Sequence, residues 1–140
     1  MTDLSLSVER VIKAPPARVF DAWLDPATLA RFMMPAEGMS VPRASSDAKT
    51  GGRFEVVMQA GENEIPHAGT YKEITPHSKI VFTWESPFSV DDSTVTLTFA
   101  EVAEGTHVTL HHVRFPSEEV RDNHAGGWGN ILAALEKAVA

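Results

Sequence analysis

From Met39 to Phe115 the chain alternates apolar and polar residues with period two, and after Ser117 it changes to a helical period. No other feature constrains the fold as tightly. Phe54, Val56 and Met58 alternate with Arg53, Glu55 and Gln59, and Ile80, Phe82 and Trp84 alternate with Val81, Thr83 and Glu85. Val95, Leu97 and Phe99 alternate with Thr94, Thr96 and Thr98, and Val108, Leu110 and His112 share the next face. Residues two apart on a strand point to the same side, so each run buries one face and wets the other. Gly51-Gly52, Gly61-Glu62-Asn63 and Glu104-Gly105 read as turns, with Ile65 to Ile74 returning after the second. Such punctuation fits a meandering antiparallel sheet.

A sheet with one apolar face needs a cover. Trp128, Ile131, Leu132, Leu135 and Val139 fall at relative positions 0, 3, 4, 7 and 11, which is one stripe of a helix. His124 lies one turn earlier on that stripe. Ser117 suits the cap position, and Glu118 and Glu119 suit the positive end of the helix dipole.

Ahead of the sheet, Leu4, Leu6 and Val8 alternate with Ser5, Ser7 and Glu9, a strand that Pro15-Pro16 stops. Val19, Phe20 and Trp23 then mark a short helix. Asp25-Pro26 restarts a second one, with Leu29, Phe32 and Met33 on its apolar face and Pro35 at its end. The expectation is an α+β architecture in one domain spanning residues 1–140. A curved antiparallel sheet of about six or seven strands wraps around a long C-terminal helix, with two short helices after the first strand. The gap between sheet and helix is the candidate pocket.

Composition narrows the functions. A chain of 140 residues can bury a substantial core. The net charge of −7 argues against nucleic acid and against anionic lipid, both of which call for a cationic surface. The absence of cysteine excludes disulfides, thiolate nucleophiles and Cys-ligated zinc. Met1 to Arg10 lacks a secretion-signal pattern, and no apolar run approaches the ~18 residues of a membrane span. A cytoplasmic location is expected.

Trp23, Phe54, Phe82, Trp84, Phe99 and Trp128 read first as core, because apolar residues in phase usually pack. Trp84 and Trp128 carry indole N–H groups that need a partner when buried, and a pocket can supply one. His112 and His124 sit on the two facing apolar stripes. They are either buried, satisfied histidines or groups that orient a ligand or move a proton, and in a dry pocket each should titrate below ~6.5. His111 points the opposite way from His112, so the pair is not a metal site. Tyr71 reads equally as core phenol or cavity phenol, and Glu85 as an outer, solvated carboxylate. With no H-x-x-x-H spacing, no metal is expected, and no cofactor. No Gly-x-Ser-x-Gly elbow is present. Gly126-Gly127 and Gly129 interrupt the helical stripe at a cost of roughly 3 kcal/mol against alanine, and close approach of helix to sheet is the expected offset.

A resemblance carries the reading further. It rests on Ala14-Pro15 before Val19-Phe20-Asp21-Ala22-Trp23, on Asp25-Pro26 with Leu29, and on Gly51-Gly52 before a strand. It continues through Gly69-Thr70-Tyr71, Val81-Phe82-Thr83-Trp84-Glu85, His112 ahead of Phe115-Pro116, and His124-Ala125-Gly126-Gly127-Trp128. In these the chain resembles the START-like (SRPBCC) superfamily, and within it the bacterial branch similar to the C-terminal domain of the heat-shock chaperone ATPase activator (Aha-type). It departs from the family where Phe32-Met33 lacks a nearby Trp and where Arg114 stands in place of a common Gly. The resemblance implies a helix-grip fold with a hydrophobic cavity and implies no particular reaction. The leading expectation is a non-catalytic protein, monomer or homodimer, that binds a small apolar molecule among Trp84, His112, His124, Trp128, Tyr71 and Phe82. The alternatives are a chaperone-associated or stress-related protein acting through its surface, and a cavity enzyme using His112 or His124 for acid–base chemistry.

Overall fold

In the computed structural model, which describes residues 4–34, 36 and 38–139, each periodic run becomes an element. The order is β1 (Ser5–Ile12), α1 (Pro16–Ala22), α2 (Pro26–Phe32), β2 (Met39–Ser46), β3 (Arg53–Ala60), β4 (Asn63–Thr75), β5 (Lys79–Thr83), β6 (Thr94–Val102), β7 (Gly105–Val113) and α3 (Glu118–Ala138). Among the described residues the strands form one seven-stranded sheet in the order β1-β7-β6-β5-β4-β3-β2. Every neighbouring pair is antiparallel. β2 to β7 therefore form a continuous meander, and β1 joins at the far edge beside β7.

Local chemistry sets the boundaries. Pro16 takes the first position of α1, where its missing N–H costs nothing. Asp25 caps α2 through its carboxylate, which accepts from the Thr28 backbone N–H at 3.1 Å. The stop expected at Pro35 lies outside the described residues. Ser117 caps α3 by accepting from the Val120 N–H at 3.2 Å. The β3–β4 hairpin turns on Gly61, whose φ of 63° is the left-handed conformation that glycine adopts without strain. In β4, Gly69 is required by contact: a Cβ there would run into the Thr83 carbonyl oxygen and the Phe54 ring.

The core forms where the concave face of the sheet meets α3. Ile80, Val95, Leu97, Val108 and Leu110 from the sheet join Ile131, Leu132 and Leu135 from the helix in one cluster. Full burial of each such side chain contributes roughly 1.5–3 kcal/mol. Phe20, Trp23, Leu29 and Phe32 of the short-helix region extend the same cluster.

The glycines of α3 call for a correction. The helix runs unbroken through them, but close packing is not the reason for two of the three. A Cβ at Gly126 or Gly129 would meet nothing within 4 Å. Their helical cost is offset by burial of the Trp128–Leu135 stripe. Gly127 has a different position, described below.

Candidate functional site

α3 leaves the sheet uncovered over part of β2, β3 and β4. A cavity of about 180 Å³ opens there. Met39 comes from β2, Met58 from β3, Ile65 and His67 from β4, and Trp84 from the residue just after β5. Asn123, His124, Gly127, Trp128 and Ile131 face them from α3, and Phe88 reaches the rim from the β5–β6 loop. Phe88 is 54% exposed. No Asp, Glu, Lys or Arg lines the cavity among the described residues.

The wall is an aromatic chain. Trp84 and Trp128 lie with ring centroids 4.8 Å apart, and His67 lies 4.9 Å from Trp84 on its other flank. Behind Trp128 stands His112, fully buried. Its hydrogen bonds fix its proton. The Trp128 Nε1–H can only donate, and it donates to His112 Nδ1 at 3.0 Å. His112 Nδ1 is therefore the bare nitrogen, and Nε2–H donates to Ser93 Oγ at 2.7 Å. A second ring proton would set two donors against each other. Burial, with smaller contributions from His124 and His111, lowers the His112 pKa to about 3. His112 thus ties α3, β7 and the end of the β5–β6 loop together as a neutral ring.

His67, on β4 just after Pro66, is the second buried histidine. Its Nδ1 lies 3.0 Å from the Ile65 carbonyl oxygen, to which the N–H donates. Burial outweighs the help of that carbonyl and lowers its pKa to about 4. His124 is half-buried. Its Nδ1–H donates to the Val120 carbonyl one turn back at 2.8 Å, leaving Nε2 as the ring nitrogen with no such engagement.

Of the six residues singled out from sequence, the structure brings Trp84, His124 and Trp128 to the cavity. His112 supports Trp128 from behind. Tyr71 and Phe82 border a separate crevice of about 10 Å³ with Trp23, Leu29, Met33 and Phe54, room for roughly one water. The Tyr71 hydroxyl bonds Ser46 Oγ at 2.9 Å, and burial raises its pKa. Both rings still adjoin the cavity wall through the aromatic cluster, with Phe82 at 6.3 Å from Trp84. Glu85 is exposed and pairs with Arg53 at 2.8 Å on the outer face. Trp84 gains no partner: its Nε1–H has no acceptor among the described residues. His67 escaped the sequence reading although it carried the signal that identified His112. It falls in phase with Ile65 and Tyr71, a polar residue on an apolar face. Ser93 carried no such signal, because it acts from a loop.

Among the described residues no group of three or more His, Asp or Glu side chains is placed to hold a metal ion. No helix among them is long and apolar enough to cross a membrane. Arg114 has φ 71°, in the left-handed region that favours glycine.

Known proteins share this fold. A Chromobacterium violaceum protein superposes with a TM-score of 0.87 at 28% identity, over 95% of each chain. An Aeromonas hydrophila protein described as AHSA1-like superposes at 0.85 with 25% identity, over 97% of this chain and 92% of its own. A Nitrosomonas europaea protein, at 24% identity, 0.81, and 96% and 93% coverage, shares the fold. No curated protein matches the chain. The family model described as activator of Hsp90 ATPase homolog 1-like protein matches residues 13–140. The chain therefore belongs to the activator of Hsp90 ATPase homolog 1-like family, a branch of the START-like superfamily.

Proposed function

We propose that this protein binds a small apolar molecule in the cavity beneath α3 and that binding, without chemistry, is its activity. One observation carries the reading. An open cavity of about 180 Å³, walled by Trp84, Trp128, Met58, Ile65 and Ile131, lies between α3 and the sheet. Protein interiors pack densely, and apolar concave sites with few polar groups are where small ligands bind. Trp128 sits at the centre of that wall, supported from behind by His112 and Ser93.

His112 is better suited to support the wall than to acid–base catalysis. Both ring nitrogens of His112 are engaged, and its low pKa leaves no exchangeable charge near neutral pH. The test is binding of an apolar fluorescent probe, followed through tryptophan emission, together with native mass spectrometry of the purified chain. Quenching that weakens in Trp128→Ala is the expected result. Unchanged probe affinity in a folded Trp128→Ala protein would contradict it.

A second reading takes its support from the family description, which names an activator of a chaperone ATPase. On that reading the chain acts through its surface, where Phe88 and Val90 are exposed apolar groups of the β5–β6 loop. Co-purification with an Hsp90-class chaperone, lost in a Phe88→Ser, Val90→Ser double variant, would favour this reading over the first.

A further inference from the structure

Resting on the ligand-binding reading, we propose that the cavity takes a neutral aromatic molecule of one ring or two fused rings, about the size of phenol to indole, bearing an N–H or O–H donor. Four observations lead there.

The first is size. An apolar cavity of roughly 150 Å³ is known to hold one benzene. The cavity here, about 180 Å³, admits a ring with a small substituent or a fused bicycle. A sterol or an extended acyl chain is too large to be enclosed.

The second is the wall. Trp84, Trp128, His67, His124 and Phe88 bring five rings to the lining, from the sheet, from α3 and from the β5–β6 loop. Aromatic pairs gain from offset and edge-to-face geometry beyond the area they bury. Met39 and Met58 complete the wall, and their thioethers make favourable contacts with aromatic rings. Such a lining distinguishes a flat ring from an alkyl chain of equal volume.

The third is charge. No Asp, Glu, Lys or Arg borders the cavity among the described residues, so a carboxylate or an ammonium would lose its hydration without an ionic partner.

The fourth is the polar complement. His124 lines the cavity and donates its Nδ1–H to the Val120 carbonyl, which leaves Nε2 as the ring nitrogen available to accept from a ligand. An acceptor in an apolar site selects a ligand that carries a donor. His112 offers no competing acceptor, both of its nitrogens being engaged; Asn123, the second ring nitrogen of His67 and the Trp84 Nε1–H, which has no acceptor among the described residues, are the other polar groups of the lining.

Calorimetric titration of the full chain tests this with indole, p-cresol, 1-methylindole, indole-3-acetate, decan-1-ol and estradiol as probes. Indole and p-cresol should bind at least about tenfold tighter than indole-3-acetate, decan-1-ol or estradiol. A single neutral hydrogen bond is modest, so indole should exceed 1-methylindole by only about fivefold. In His124→Phe that last difference should vanish while indole still binds. Gly127→Leu, which adds a side chain at the cavity wall, should lose indole binding by about tenfold or more. Gly126→Ala, whose added carbon meets nothing within 4 Å, should leave it unchanged.

Tighter binding of estradiol or decan-1-ol than of indole would overturn the ring-size class while leaving the ligand-binding reading intact. Tighter binding of indole-3-acetate would overturn the neutral class in the same way. Failure of every probe to bind would overturn both. The wild-type series requires no variant to fold, so the proposal is decided even if Gly127→Leu does not.

Discussion

Acidification from pH 8 to pH 5 should weaken the fold through His112 and His67. Both rings are buried, and burial lowers their pKa values to about 3 and about 4. In the unfolded chain each would titrate near ~6.5. Between those limits the unfolded state binds a proton that the folded state refuses. The stability held by each neutral ring is therefore complete above ~6.5 and falls away as the pH drops toward the folded pKa. One proton is worth about 1.4 kcal/mol per pH unit, so the step from 6.5 to 5 costs about 2 kcal/mol per ring and about 4 kcal/mol for both. That is a large part of a typical stability of roughly 5–15 kcal/mol. The carboxylates Glu64, Glu85 and Glu136, held low by Arg43, Arg53 and Arg10 respectively, add their own losses only at lower pH. Urea unfolding at fixed temperature across pH 8 to 5 measures the effect. A flat profile above pH 7 and a slope near two protons between pH 6 and 5 are expected. In His112→Gln, which can still accept from Trp128 and donate to Ser93, the slope should fall to about one proton. A flat profile throughout, an unchanged slope in His112→Gln, or ring signals of both histidines titrating near ~6.5 by NMR would refute the reasoning.

Other expectations follow from the same contacts. Ser93→Ala strips the acceptor from the buried His112 Nε2–H and should cost about 1–3 kcal/mol, seen as a lower urea midpoint at unchanged m-value. Ser117→Ala removes the cap of α3 and should cost about 1 kcal/mol by the same measurement. Gly126→Ala and Gly129→Ala, each adding a carbon that meets nothing within 4 Å, should each stabilise by up to about 1 kcal/mol, read as higher melting temperatures.

The sequence was most legible where one residue's role follows from its phase. The alternation of Ile80-Phe82 and Val95-Leu97-Phe99 specifies which side of β5 and β6 faces inward, and the 0-3-4-7-11 stripe specifies the covering face of α3. Asp25 and Ser117 announce helix starts because a short polar side chain can satisfy free N–H groups there. The site was legible in part. Trp84, His124 and Trp128 reach one cavity because strand and helix stripes meet there. Phase alone cannot say how far along the sheet α3 stays in contact, so Tyr71 and Phe82, on the same inward faces, fall beside a small separate crevice instead. Nor does phase reveal tertiary hydrogen bonds. The Trp128–His112–Ser93 chain joins residues 16 and 19 apart, and only the fold brings them together. The α3 glycines invited a packing explanation that the open space around Gly126 and Gly129 does not support.

The central claim, that the cavity beneath α3 receives a small apolar molecule, is tested most directly by the indole N–H signals of the chain. There are three tryptophans, hence three such signals. Trp84 and Trp128 line the cavity, whereas Trp23 borders the separate crevice. In a proton–nitrogen NMR titration with p-cresol, the Trp84 and Trp128 signals should move together along one saturating curve while Trp23 stays in place. Movement of Trp23 alone, or of none of the three up to the solubility of p-cresol, would contradict the account.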